Sequence, residues 1–116
     1  MLRRLQSLGH ALRGLRVLVL TQPNARIHVV ATIGVVTAGM WFQVSLHEWC
    51  WLIAAIVAVW AAEAFNTALE FLADEVSLER RQRIGRAKDL AAGAVLCTCL
   101  GAATVGLLVF APYLTR

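Results

Sequence analysis

The stretch AEAFNTALEFLADE, residues 62–75, closes a long apolar run yet carries Glu63, Asn66, Glu70, Asp74 and Glu75. An α-helix turns about 100° per residue, so measured from Glu63, Asn66 falls at about 300°, Glu70 at about 340° and Asp74 at about 20°. These four share a band about 80° wide. The positions around them, Ala64, Phe65, Ala68, Leu69, Phe71 and Leu72, are apolar. The segment therefore reads as a membrane helix with one polar line. An ionised side chain at mid-bilayer costs roughly 2.5–3.5 kcal/mol on insertion scales, so the line needs a partner. Asp74 and Glu75 are near enough to the helix end to be solvated there. Glu63 lies ten residues before Ala73, roughly 15 Å along the axis, and that escape is closed to it.

The rest of the chain supports a membrane reading. Apolar residues make up 59% of its 116 residues and charged residues 16%, too greasy a balance for a soluble domain of this size. Segments 27–46, 49–73 and 90–114 are each long enough to span, about 20 residues being needed. Trp41, Trp49 and Trp51 fall at span ends, where amphipathic rings settle at the interface. The link between the first two spans, Ser45 to Glu48, is short and predicts an antiparallel hairpin. Before them, Leu2, Leu5, Leu8, Leu12 and Leu15 recur at helical spacing among Arg3, Arg4, Arg13 and Arg16. Residues 1–22 thus read as a basic amphipathic helix on the membrane surface, ended by Pro23. The polar segment 74–89 reads as a loop, helix-compatible but broken at Gly85, and Pro112 is expected to fray the last span. The fold class is all-α and integral to the membrane: a surface helix plus three spans.

The net charge of +4 comes from two basic clusters, Arg3 to Arg26 and Arg80 to Lys88, with Arg116 apart. Because the clusters flank apolar spans, they point to membrane topology and anionic headgroups, not to nucleic acid. They place the N-terminus and the 74–89 loop in the cytoplasm and the C-terminus outside. Arginines recurring through Arg16 argue against a cleaved signal peptide. Cys50, Cys97 and Cys99 suggest neither a disulfide framework nor a metal centre, and read as small core thiols.

Carboxylates can hold a hard cation through oxygen, and one can act as a general base. Lys88, Arg80, Arg81 and Arg86 can hold phosphates. Acids at the membrane interface beside a basic segment point to phosphate chemistry on a lipid headgroup. No G-x-x-x-x-G-K-[ST] loop is present, so a nucleotide site would not be a standard P-loop. The rival from another class is a small membrane transporter subunit in which Glu63 couples a proton or cation. It explains Glu63 but leaves Asn66, Glu70 and Lys88 idle. A purely structural membrane oligomer explains none of the line.

EAFNTALEFLAD, Glu63 to Asp74, followed by GRAKDLAAGAVL, Gly85 to Leu96, resembles the small prokaryotic diacylglycerol kinase family, which includes undecaprenol kinases. The resemblance covers the whole chain, 1–116, as a single domain. NARIH, Asn24 to His28, and AAGAV, Ala91 to Val95, lean toward the undecaprenol kinase branch. The resemblance implies a homotrimer in the inner (cytoplasmic) membrane, with active sites shared between neighbouring chains. It also implies ATP as phosphoryl donor, Mg2+, and transfer of the γ-phosphoryl group to a lipid hydroxyl. By residue match it makes Glu63 the catalytic base and Glu70 a metal ligand, with Asn66, Asp74, Asn24 and His28 in support. Arg3, Glu79, Gly85, Lys88 and Asp89 would contact ATP. Where the family commonly has a second metal-binding glutamate before the first span, this chain has Gln22. Either the metal is held more weakly, or Asn24 or His28 takes part, or activity is reduced. His28, at a span entrance, reads first as an interfacial anchor and second as a site residue; His10 is undecided in the same way.

Overall fold

A computed structural model describes residues 1–116 as four helices: α1 (Leu2–Thr21), α2 (Pro23–Phe42), α3 (Leu46–Val76) and α4 (Gln82–Leu114). The break between α1 and α2 is the work of Pro23. It has no N–H to give α1, but its fixed φ suits the first position of α2. Gln22 between them is extended. The last carbonyls of α1 are capped from the next helix: Arg26 donates from Nε to the Val19 carbonyl at 3.2 Å and from Nη2 to that of Leu20 at 2.7 Å. The apolar stripe of α1 stays exposed, including Leu5, Leu8 and Leu12, as a helix lying on a bilayer requires.

The first span sits four residues nearer the N-terminus than the apolar run alone suggests. Two local signals move it. Pro23 starts the helix as well as ending the previous one, and Gln43 stops it by turning left-handed at φ 52°, ψ 50°. Ser45 then opens α3 with a reciprocal cap. Its Oγ accepts from the Glu48 N–H at 3.1 Å, and Glu48 Oε2 accepts from the Ser45 N–H at 2.8 Å. Glu48 Oε2 also accepts from the Tyr113 hydroxyl, tying the start of α3 to the end of α4. Across the hairpin the Trp49 indole lies against Gly39. A Cβ added at Gly39 would fall 2.5 Å from Trp49 Cη2. Val44, Leu52 and Val109 form a small core at this end, with Phe42 and Phe110 against it.

The segment expected as a loop from 74 to 89 is mostly helix. The polypeptide leaves helical structure only between Ser77 and Arg81. Residues from Gln82 onward are good helix formers in water, and one exposed Gly85 costs only about 1 kcal/mol. Gly85 is therefore no break. Nor does Pro112 end α4, which runs on to Leu114. So near the C-terminus, a proline deletes a single backbone bond.

At about 1.5 Å per residue, α3 and α4 are roughly 46 and 50 Å long against a hydrocarbon layer of about 30 Å. Both therefore project beyond it. The projecting ends beside the 77–81 link carry Asp74, Glu75, Arg83, Arg86 and Lys88. Only 10 of 116 residues are buried, so most apolar side chains of the three long helices face outward.

Candidate active site on the third helix

The buried residues of α3 are Leu52, Val59, Glu63, Asn66 and Thr67. All lie within one face, by the same count of about 100° per residue. The buried face is thus apolar in the N-terminal half of α3 and polar in its C-terminal half. Glu63 is 1% exposed, Thr67 4% and Asn66 9%.

Each polar residue of the line meets a different neighbour. Deepest is Glu63, whose Oε2 lies 3.4 Å from Nε2 of His28 on α2. One turn on, Asn66 Nδ2 donates to Glu70 Oε1 at 3.4 Å. At the projecting end, Asp74 Oδ1 is 2.7 Å from Lys88 Nζ on α4. The line therefore runs from a buried carboxylate to a lysine over about 16 Å of helix.

Four buried polar atoms at the deep end have no hydrogen-bond partner: His28 Nε2, Glu63 Oε2, Asn66 Oδ1 and Thr67 Oγ1. Leaving such atoms unpaired costs about 1–3 kcal/mol each. A cluster of them marks a place built to receive something else. Thr67 was not singled out in the sequence, although it lies about 40° from Glu63, beside the polar band. Its hydroxyl is short and mildly polar, so a charge-led reading passes over it.

The other candidate residues stand apart from the line. Arg3 is exposed in the first turn of α1, Asn24 in that of α2, and Glu79 in the 77–81 link. Gly85 and Asp89 are exposed in the first turns of α4. No hydrogen bond or ion pair joins any of these to the line. The Gln22 amide donates to Thr21 Oγ1 at 3.4 Å. Arg26 is committed to the end of α1. No three His, Cys, Asp or Glu side chains converge on one point.

Two cavities border the site. One of about 350 Å³ opens between α2, α3 and α4, with His28 and Trp60 toward the Glu63 end and Leu52 and Phe110 toward the other. A second, of about 430 Å³, lies between α1 and α3 and reaches Ala64, Thr67 and Phe71.

Three helices long and apolar enough to span, a further N-terminal helix and an acidic line that ends at a lysine mark a polytopic membrane protein. The family model described as prokaryotic diacylglycerol kinase matches residues 9–110. The chain belongs to the prokaryotic diacylglycerol kinase family, whose members are integral membrane proteins. It is 32% identical over 109 residues to the undecaprenol kinase of Bacillus subtilis (strain 168), covering 94% of this chain and 89% of that protein. It is 30% identical over 94 residues to the diacylglycerol kinase of Escherichia coli (strain K12), covering 81% and 77%. With a diacylglycerol kinase of Synechocystis it shares 33% identity over 103 residues, covering 88% of this chain and 59% of that protein.

Proposed function

We propose that this protein transfers the γ-phosphoryl group of ATP to the hydroxyl of a membrane lipid alcohol, undecaprenol or diacylglycerol, in a magnesium-dependent reaction. Family membership makes it a lipid kinase. The finer reading rests on one observation: a carboxylate 1% exposed, with an unpartnered oxygen, heads a polar line that ends at a lysine. A kinase uses both ends of that line. A membrane lipid presents its hydroxyl from the bilayer, and a nucleotide presents its phosphates from water.

In this reading Glu63 takes the proton of the lipid hydroxyl, and Lys88 offsets charge on the phosphoryl group. Asn66 steadies Glu70 by donating a hydrogen bond from its side-chain amide. Phosphoryl transfer asks mainly for positioning and charge stabilisation, which these groups supply. Arg3, Glu79, Gly85 and Asp89 belong to the proposed nucleotide surface, and Gln22, Asn24 and Asp74 border it.

The donor chemistry fits magnesium. The cation keeps several waters and is bound through one or two carboxylates plus substrate phosphates, so a dedicated cage of three acids is not required. Glu70 would hold it, with the Gln22 carbonyl as a neutral second donor. Bound there, magnesium would neutralise charge on the phosphates.

The homotrimer belongs to this proposal. Ala54, Ala58 and Ala61 form an exposed small-residue face on α3, where a neighbouring helix could approach closely. So does the orientation in the inner membrane, N-terminus in the cytoplasm, which the basic clusters favour. The relative matched over 94% of this chain is named for undecaprenol, and those from Escherichia coli and Synechocystis for diacylglycerol. That favours undecaprenol as the first substrate to test.

The test is a radiolabelled-ATP assay of the purified protein against a panel of lipid alcohols in mixed micelles, with and without magnesium. Label should appear in lipid only when an alcohol and magnesium are both present. Proton-coupled uptake with no lipid-dependent ATP consumption would instead support the transporter reading.

A further inference from the structure

His28 has the position of an interfacial anchor but not the contacts of one. Its side chain is 14% exposed, and Nε2 faces Glu63 Oε2 at 3.4 Å rather than the headgroups. Neither atom has another partner. The main chain of His28 is held by a neighbour, and its ring is met by another. Thr32 Oγ1 donates to the His28 carbonyl at 2.6 Å, and Trp60 Nε1 donates to the same Thr32 oxygen at 3.0 Å. The Trp60 indole then meets the imidazole edge-on, with centroids 6.3 Å apart and an interplanar angle of 65°. Beyond the ring lies the apolar cavity, walled nearby by Ala31, Val35 and Val59. Trp60, one turn before Glu63 on α3, therefore braces the group that faces Glu63.

We propose that His28 is a positioning residue for the carboxylate of Glu63, an inference that rests on the assignment of Glu63 as the base. A carboxylate oxygen only accepts hydrogen bonds, so the contact requires the hydrogen on Nε2. Donation from Nε2 to Oε2 holds the carboxylate plane and leaves the other oxygen for the lipid hydroxyl. Without this partner the desolvated carboxylate has no donor on that oxygen and is free to rotate out of line. At 3.4 Å the two atoms face each other without a hydrogen bond in this structure, and on this proposal they close to bonding distance when substrate is bound.

The step balances. The lipid oxygen bonds to the γ-phosphorus, the bond from that phosphorus to the β,γ-bridging oxygen breaks, and ADP leaves with the electron pair. The hydroxyl proton passes to Glu63. His28 keeps its own proton throughout and touches neither phosphate nor lipid oxygen.

The test measures kcat and both KM values in mixed micelles for the wild type, His28→Leu, His28→Gln, His28→Asn and Glu63→Gln. His28→Leu should lower kcat about 10- to 100-fold, the scale of one hydrogen bond to a charged group, with KM for ATP little changed. Gln carries an amide donor at about the reach of Nε2 and should recover much of the loss. Asn is equally polar but too short, and should not. The Gln and Asn variants keep the test decisive if His28→Leu fails to fold. Wild-type kcat in His28→Leu, or equal kcat in the Gln and Asn variants, overturns the inference. Glu63→Gln separates the two layers. If it is inactive while His28→Leu is fully active, only the role of His28 falls. If it is fully active, the assignment of the base falls and takes this inference with it.

Discussion

Replacing Lys88 with methionine should remove much of the activity and almost none of the stability. Lys88 Nζ lies 2.7 Å from Asp74 Oδ1, but the two side chains are 37% and 50% exposed. Solvent and salt screen so open a pair, and such pairs contribute about 0.2–1 kcal/mol. Methionine keeps most of the apolar stem, so unfolding should move by about 1 kcal/mol at most. Against a phosphoryl oxygen the arithmetic differs. A hydrogen bond between charged groups in a site contributes about 1.5–3 kcal/mol, or roughly 10- to 150-fold in kcat/KM. Lipid-dependent ATP turnover and thermal unfolding in the same detergent give both numbers. Asp74→Asn sharpens the contrast. If Asp74 merely steadies Lys88, its removal costs no more than the pair contributes, about five-fold. The reasoning fails if Lys88→Met turns over at the wild-type rate, or if it loses activity only in proportion to lost folded protein.

Glu70→Gln should raise the magnesium concentration needed for half-maximal rate, with part of the rate restored at saturating magnesium; an unchanged magnesium titration removes Glu70 from the metal site. Gly39→Val should destabilise the α2–α3 hairpin by about 1–3 kcal/mol, because a side chain there meets the Trp49 ring. Thermal unfolding measures this, and a wild-type melting temperature would show that the indole simply moves aside. Glu79→Cys, in a chain with its own cysteines replaced, should react with an impermeant maleimide from the cytoplasmic face; labelling from the opposite face would reverse the topology.

The features set by local chemistry were legible in the sequence. Pro23 announced the α1–α2 break, the leucine and arginine spacing announced a surface helix, and three apolar runs announced the long helices. The polar line was legible because Glu63, Asn66, Glu70 and Asp74 share a face at helical spacing. What depends on partners was not. Residues 82–89 looked like a loop because polarity marks where a membrane ends, and a helix that leaves the membrane need not stop there. Arg26 belongs to the basic cluster in the sequence, and only the fold puts its guanidinium on the carbonyls of α1. Thr67 and Trp60 carry no charge, and their positions gain meaning only once His28 and Thr32 of α2 lie opposite. Gln22 keeps its place as the departure from the family pattern, and its amide donates to Thr21 Oγ1.

The central claim is that the buried carboxylate of α3 takes the proton from a lipid hydroxyl. Glu63→Gln tests it most directly, since the amide has the same shape and cannot accept that proton. Lipid phosphorylation and nucleotide binding should be measured on the same preparation. The account predicts a fall in kcat of about 10²- to 10⁴-fold, the usual contribution of a positioned general base, with nucleotide binding retained. Phosphorylation of a lipid alcohol at the wild-type rate by Glu63→Gln would contradict it.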